Sequence, residues 1–273
     1  MVQKTYSIYS DNVDNGQFFI EAGKNHLAFW CREKDTNKIT AFEFFQCDSY
    51  TGGSFDKILD AARLHSRLLA TTVEAPHFIM NTDESLCIPA NRSGNDEHFI
   101  SQNFELLFGP CPTANFFSEN VEQYLFASRI DIALQENVRS SFPNVKLHTQ
   151  YACLLRSLMS DAGNDRVYLF FYPNYFSLIV LRGGRLEFLK TKSYIAADDV
   201  LYFVLNVFRQ YNISNDTEIL TGGFIDEQSK LYQTLYQYLE RLKPAVVDET
   251  VFATGEFKDY SLHYFLPYAN YVL

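Results

Sequence analysis

The chain has one tryptophan among 273 residues, and several other features are scarce with it. Positive charge is short: 23 Lys and Arg stand against 33 Asp and Glu, a formal net charge of -10. A duplex-binding protein gains affinity by neutralising phosphates with Lys and Arg. This balance excludes nucleic acid as the main partner, and an anionic membrane surface with it. Cysteine is confined to positions 31, 47, 87, 111 and 153. The count is odd and no Cys-x-x-Cys pair occurs, which fits a reduced chain and not a disulfide framework. The six histidines show neither His-x-x-x-His nor His-Glu-x-x-His spacing, so a zinc site would need distant residues brought together. The longest apolar run, inside 170–192, is broken by Pro173 and Asn174 and falls short of the ~20 residues that span a bilayer. The opening MVQKTYSIYSDNVDNG lacks the basic head and apolar run of a signal peptide. A soluble, cytoplasmic protein is the expectation. There is no Gly-x-x-x-x-Gly-Lys-Ser/Thr loop, no Gly-x-Gly-x-x-Gly and no Gly-x-Ser-x-Gly elbow, which removes the P-loop, dinucleotide-binding and hydrolase-elbow chemistries.

What is abundant is aromatic. The chain holds 25 Phe and 18 Tyr, and apolar residues make up 47%. The length suits two small domains better than one core. Strands are expected near Gln17–Ala22, His26–Arg32 and Ile39–Phe45, joined by turns at 23–25 and 34–38. A helix capped by Ser54 follows, its apolar face including Phe55, Ile58, Leu59, Ala62 and Leu69. PHFIMN reads as a short strand, NDEHFISQNFELLF as a helix and GPCPTANFF as loop. EQYLFASR, IDIALQENVRSSF, NVKLHT and QYACLLRSLM then alternate strand, helix, strand, helix, as in an α/β sheet. The polar SDAGNDR, residues 160 to 166, is the expected boundary between a first domain at 1–160 and a second at 161–273.

After that boundary the order begins again. Strands are expected at Val167–Tyr172, Phe176–Leu181 and Arg185–Lys192, with a Gly183-Gly184 hairpin turn. AADDVLYFVLNVFRQY reads as a helix apolar nearly all round, with Asp198-Asp199 as its cap. TEILTGG reads as a strand. DEQSKLYQTLYQYLERL reads as an amphipathic helix with Leu231, Leu235, Leu239 and Leu242 on one face, and a further strand is expected at Ala245–Val251.

A three-strand meander followed by helix, strand and helix thus occurs twice. This order resembles the actin-like ATPase fold, α/β with two ribonuclease-H-like domains, shared by actin, sugar kinases and heat-shock chaperones. It also resembles the actin-like proteins of pilus and secretion systems. It is most similar to an uncharacterised bacterial family with a reduced version of this fold. In nucleotide-binding members, the resemblance implies, one hairpin turn from each domain clamps the phosphates, each carrying Asp, Gly and Ser or Thr. Backbone N–H groups of such turns point at phosphate oxygens, and the carboxylates help hold Mg²⁺. A Gly-Gly after a strand of the second domain lets the backbone approach the adenosine.

Placed on this sequence, the first turn is Glu21-Ala22-Gly23-Lys24-Asn25. It keeps a carboxyl and the glycine, and Lys24 is suited to a phosphate, but Asn25 stands in place of a hydroxyl residue. The second is Tyr172-Pro173-Asn174-Tyr175-Phe176, where Tyr172 takes the Asp position and Asn174 the Gly position. Pro173 removes an N–H donor. The third is Leu220-Thr221-Gly222-Gly223-Phe224, followed by Asp226 and Glu227; carboxylates at a helix start repel a bound phosphate. The expected vestigial nucleotide site is therefore Glu21, Gly23, Asn25, Asn174, Gly222 and Gly223, with no catalytic residue, metal or cofactor. The expected function is a non-catalytic binding or scaffold module that acts through a protein partner or self-association. Two alternatives stand beside it. One is an active ATPase or small-molecule kinase using Mg-ATP, with Glu21 positioning the metal and Gly222-Gly223 seating the nucleoside. The other is a binder of a non-nucleotide ligand in an inter-domain cleft lined by Tyr172, Tyr175 and Phe224.

Overall fold

The structure, a computed structural model, describes residues 1–10, 16–50, 52–70, 73–93, 97–160, 165–269 and 271. The chain divides into two compact units, Met1–Cys153 with Thr250–Phe257, and Leu154–Glu249 with Lys258–Leu273. Most of the polar stretch expected as a domain boundary, residues 161–164, lies outside the described residues.

The first unit is built on strands β1 (Val2–Tyr9), β2 (Gly16–Gly23), β3 (His26–Glu33) and β4 (Ile39–Cys47), then helix α1 (Phe55–Arg63) and strand β5 (His77–Met80). Next come β6 (Ser85–Pro89), α2 (Ala90–Ser93), α3 (Glu97–Phe108), β7 (Ala114–Val121), β8 (Tyr124–Asp131), α4 (Ile132–Ser141) and β9 (Lys146–Thr149); α5 (Gln150–Ser160) begins in this unit and belongs to the second from Leu154 on. The main sheet runs β1-β4-β3-β2-β5-β9, with β5 and β9 parallel to β2 and the other pairings antiparallel. The strands β6-β8-β7 form a separate small sheet.

The second unit repeats the plan with β10 (Arg166–Phe171), β11 (Tyr175–Arg182), β12 (Arg185–Ser193), α6 (Ala197–Tyr211), β13 (Glu218–Gly223), α7 (Lys230–Tyr236), β14 (Leu242–Pro244) and, near the C-terminus, α8 (Leu266–Ala269). Its sheet runs β12-β11-β10-β13-β14, again a meander extended by two parallel strands.

Physical reasons for these elements are local. Gly183 and Gly184 have φ of 53° and 72°, the two positive values that a two-residue hairpin matched to strand twist requires. Asp131 caps α4 by accepting from Ala133 N at 2.8 Å. Asp199 reaches back to Ile195 N and Ala196 N, both at 2.9 Å, so the acidic pair does close the start of α6; those two donors hold its carboxyl below the usual range. The end of α6 is closed by Asn212 in the left-handed region and by Arg182, which donates to Tyr211 O at 2.7 Å.

The sequence expectations differ from the structure at several elements. Strands β1 and β6 were not anticipated, and GPCPTANFF contains the start of β7. The helix after Ser54 ends at Arg63, and Ser54 makes no side-chain capping bond. Helix α7 stops at Tyr236; Leu239 and Leu242 are buried beyond it, and the last parallel strand is Leu242–Pro244 and not Ala245–Val251. Helix α6 is amphipathic, with Val200, Val204 and Val207 inward and Tyr202 outward.

Strands β2, β3 and β4 are buried almost throughout. One face packs Phe18, Ile20, Phe29 and Phe45 on Phe55, Leu59 and Ala62 of α1 and Val138 of α4. The other carries a ladder of rings across four strands: Trp30 on Phe19 (5.1 Å), Phe19 on His77 (5.1 Å) and His77 on His148 (5.2 Å). Two buried carboxyls on these strands are paired within the chain, as low polarity favours. Glu43, fully buried, accepts from Tyr9 OH, Ser66 Oγ and Arg67 N, and so ties β1 and the segment after α1 to β4. The small sheet is tied to the main one by Glu119, which meets His148 Nδ1 at 3.0 Å and accepts from Thr149 N; His148 Nε2 in turn lies 3.0 Å from His77 Nδ1.

Two outcomes are expected. Replacing Glu43→Ala strands three donors in an apolar surround and should cost about 3 kcal/mol, read as a lower urea midpoint with faster amide exchange in β1; an unchanged midpoint would refute the role. His77 is pushed down to about 4 by burial, with His148 and Lys146 adding to the effect. It is therefore neutral in the fold, while the unfolded chain takes its proton near 6.5. Because the unfolded state binds more protons between those values, stability should fall as pH drops from about 6.5 towards about 4. A His77→Gln variant should show a shallower fall in melting temperature over that window.

Candidate functional site

The six expected site residues fall into two groups, one in each unit. In the first, β2 and β3 form a hairpin that pairs Gly23 with His26 and leaves Lys24 and Asn25 as its turn. Glu21 lies on β2 opposite Ala28 of β3 and Ile79 of β5, fully buried. Its Oε1 is 2.8 Å from His26 Nε2 and accepts from Asn81 Nδ2 at 3.1 Å. His26 is itself buried and stacks on Phe44 at 5.1 Å. The carboxyl retained by the sequence is thus turned into the sheet. Lys24 lies 4.0 Å from Asp83. The amide oxygens of Asn25 and Asn81 are buried without a hydrogen-bond partner. Asn81 gives its NH₂ to Glu21 and its backbone N–H to Ala22 O, so its side chain presents an acceptor oxygen beside β2, a poor match for a phosphate, which is itself an acceptor.

In the second unit, Tyr172 N donates to Tyr175 O at 2.8 Å and closes the turn between β10 and β11. The two tyrosine rings stack at 4.7 Å and are buried. Asn174 lends its carbonyl to Tyr194 N at 3.0 Å. Tyr172 OH lies 3.5 Å from Tyr271 OH. The turn carries no carboxyl, and its rings are packed among other rings: Phe171 on Phe176 at 5.9 Å, and Phe171 edge-on to Tyr194 at 6.3 Å.

The Gly222-Gly223 pair ends β13 beside this turn, in parallel register with Phe170 and Phe171 of β10. The two glycines are there for different reasons. Gly223 has φ of 77°, and a Cβ at that position would lie 2.1 Å from Phe171 O. Its backbone turns sharply so that Phe224 N can donate to the same oxygen at 2.9 Å. Gly222 has ordinary backbone but no room: a Cβ would meet Leu266 Cδ2 at 2.9 Å and Phe170 Cδ1 at 3.1 Å. The approach that the glycine permits is made by the chain's own Leu266, at the start of α8. Around it, His263 Nε2 lies 2.7 Å from Ile225 O, Tyr264 OH donates to Asp226 Oδ2 at 3.3 Å, and Phe224 packs on Tyr264 at 6.3 Å. Asn174, Gly222 and Gly223 are therefore brought to the same ends of neighbouring strands, under a cover made by residues 263–266.

Sequence reasoning missed His26, Asn81, Leu266 and Tyr271. Asn81 follows directly on a strand that was read correctly, which is a usable signal. Nothing in the local sequence announces Leu266. Among the described residues no group of three His, Cys, Asp or Glu is arranged to hold a metal, and no helix is long and apolar enough to cross a membrane. None of the five cysteines is in a disulfide.

A family model described as protein of unknown function (DUF3822) matches residues 7–242. No curated protein matches the chain. Solved structures do. A Bacteroides thetaiotaomicron protein with an actin-like ATPase fold and unknown function superposes with a TM-score of 0.72 at 13% identity, over 84% of this chain and 90% of that one. A chain of the PilM–PilN type IV pilus biogenesis complex gives 0.63 at 11% identity, over 94% and 97%. The ethanolamine utilization protein EutJ from Carboxydothermus hydrogenoformans gives 0.53 at 9% identity, over 97% and 93%. The chain has the actin-like ATPase fold, as its sequence order implies.

The packing at Gly222 predicts coupled substitutions. Gly222→Ala should destabilise by about 1–3 kcal/mol through overpacking, and Leu266→Ala by about 2–4 kcal/mol through the cavity left. In the double variant the added methyl fills part of that cavity, so the combined loss should be smaller than the sum by about 1 kcal/mol or more. Additive losses in denaturant melts would mean that Leu266 does not occupy the glycine's space.

Proposed function

We propose a function for this chain from two premises: it belongs to the DUF3822 family, and it has the actin-like ATPase fold. The proposal is a non-catalytic binding or scaffold module, a pseudo-ATPase whose nucleotide site has been taken over by its own side chains. The observation that carries it is the filling of the Gly222 approach by Leu266. Three further facts support it. Glu21 is committed to His26 and Asn81. The turn at 172–175 offers stacked tyrosines where a phosphate clamp needs N–H groups and a carboxylate. Asp226 receives Tyr264 beside the glycine turn, and its charge opposes a phosphate there.

The module acts on a protein. One structure of the same fold is part of a two-protein complex, PilM–PilN, and the net charge of -10 disfavours nucleic acid. The two meanders extended by parallel strands in the same order support an origin by duplication, with the domains taken as 1–160 and 161–273. Five cysteines with no disulfide among them suit a cytoplasmic setting.

Ligand stabilisation grows with concentration over Kd, so a melting curve tests the proposal directly. Millimolar Mg-ATP should leave the melting temperature unchanged, and a reproducible upward shift would overturn the reading.

A further inference from the structure

The chain does not pass through the two units one after the other. It enters the second unit at Leu154 and stays there to Glu249, but Thr250–Phe257 belong again to the first unit, and Lys258–Leu273 to the second. A short segment near the far end of the sequence is therefore built into a unit whose strands, β1 to β9, end at Thr149. The segment also lies outside residues 7–242, the part that the family model matches.

The seat of this segment is the start of β4. Regular pairing of β1 with β4 ends at Tyr9 and Ala41, and Ser10 N donates to Thr40 O at 2.7 Å. The adjoining carbonyl, Ile39 O, accepts from Ala253 N at 3.0 Å, and Phe252 bridges Ile39 in the parallel sense. The segment thus takes up the main-chain bonding of β4 at the residue next to the last one that Ser10 serves. Ile39 is fully buried, and Phe252 and Phe257 are 6% and 0% exposed and stack on each other at 4.4 Å. Between the two rings, Ala253, Gly255 and Glu256 face solvent. The residues that flank the segment, Glu249 and Lys258, form an ion pair. Both side chains are more than half exposed, so the pair brings the two ends together and adds little stability of its own.

We propose that Thr250–Phe257 is a clasp that finishes the first unit from the far end of the chain, Ala253 extending the bonding of β4 and Phe252 and Phe257 burying their rings beside Ile39. A buried carbonyl at Ile39 needs a donor, and no neighbour in the local sequence supplies it; a residue from beyond position 250 does. The contact joins positions 39 and 252, so the first unit carries the entropy of closing that loop. Whatever detaches the clasp uncovers the start of β4 and loosens the first unit, while the sheet of the second unit keeps its own bonds. The inference goes beyond the binding-module reading and does not rest on it.

Amide hydrogen exchange on the whole chain, read residue by residue, tests this. In the unaltered protein the Ala253 N–H should exchange about a hundredfold or more slower than free backbone. A Phe252→Ala, Phe257→Ala variant should speed exchange across residues 39–47 about tenfold or more and leave residues 166–182 unchanged. The urea midpoint of that variant should also fall when followed by the fluorescence of Trp30, the chain's one tryptophan, which is buried on β3 of the first unit. An Ala253→Pro variant removes the donor and keeps both rings, and should speed exchange at the start of β4 in the same way. The proposal is overturned by an Ala253 N–H that exchanges as free backbone in the unaltered protein, by folded variants in which residues 39–47 are as protected as before, or by a loss of protection that falls in residues 166–182 instead. Should a variant fail to fold, the exchange of Ala253 in the unaltered protein decides.

Discussion

The inner strands of both main sheets are buried on their two faces, and much of this molecule follows from that constraint. A strand so placed can carry a polar side chain only if the chain itself supplies a partner, because water is not there to do it. Glu43 is satisfied by Tyr9, Ser66 and a backbone N–H. Ser177 on β11 meets Thr191 on β12 at 2.7 Å. Glu21 is satisfied by His26 and Asn81. A carboxyl at the end of β2 looks in sequence like one kept for a metal. In the folded chain it belongs to the same class as Glu43, a buried acceptor that fastens neighbouring strands.

The aromatic surplus has the same origin. With one Trp and few Met, the chain fills large two-sided cores with Phe and Tyr, whose rings bury area and prefer offset or edge-on contact. Rings then accumulate at strand ends as well as in the middle. At the turn after β10, Tyr172 and Tyr175 stack on each other and are buried. At the turn after β13 residues 263–266 close over the glycines. The stacked tyrosines after β10 and the contact of Leu266 with Gly222 carry the packing of the core out to the strand ends.

The fold was largely legible. Ten of the strands, β2, β3, β4, β5, β8, β9, β10, β11, β12 and β13, are recognisable as β-branched and aromatic runs bounded by turn or polar residues. The doubled order pointed to the architecture. Strand β1 was not legible: Val2, Lys4, Tyr6 and Ile8 are its less exposed positions, but Gln3, Lys4, Thr5 and Ser7 make the stretch too polar to stand out as a strand. Strand β6 is five residues running into a proline and gives no clear pattern, and the start of β7 follows Pro112 and reads as loop. Helix α7 was read too long because Leu239 and Leu242 keep helical spacing, although the chain has already turned towards β14. For the candidate site, the altered turns were readable and the cover was not. Leu266 reaches Gly222 across more than forty residues, and no local pattern encodes a contact of that range.

The glycines show why such a site is hard to judge from sequence. Gly223 is required whether or not a ligand binds, because a side chain there would collide with Phe171 O and the backbone has positive φ. Any chain that turns out of β13 in this way must keep it. Its presence therefore carries no information about nucleotide. Gly222 is different: its backbone conformation is ordinary, and only the atom that approaches it decides its meaning. A nucleoside would make it a binding residue, and a leucine makes it a packing residue. The distinction lies in Leu266, whose Cδ2 takes the space that a side chain at Gly222 would need.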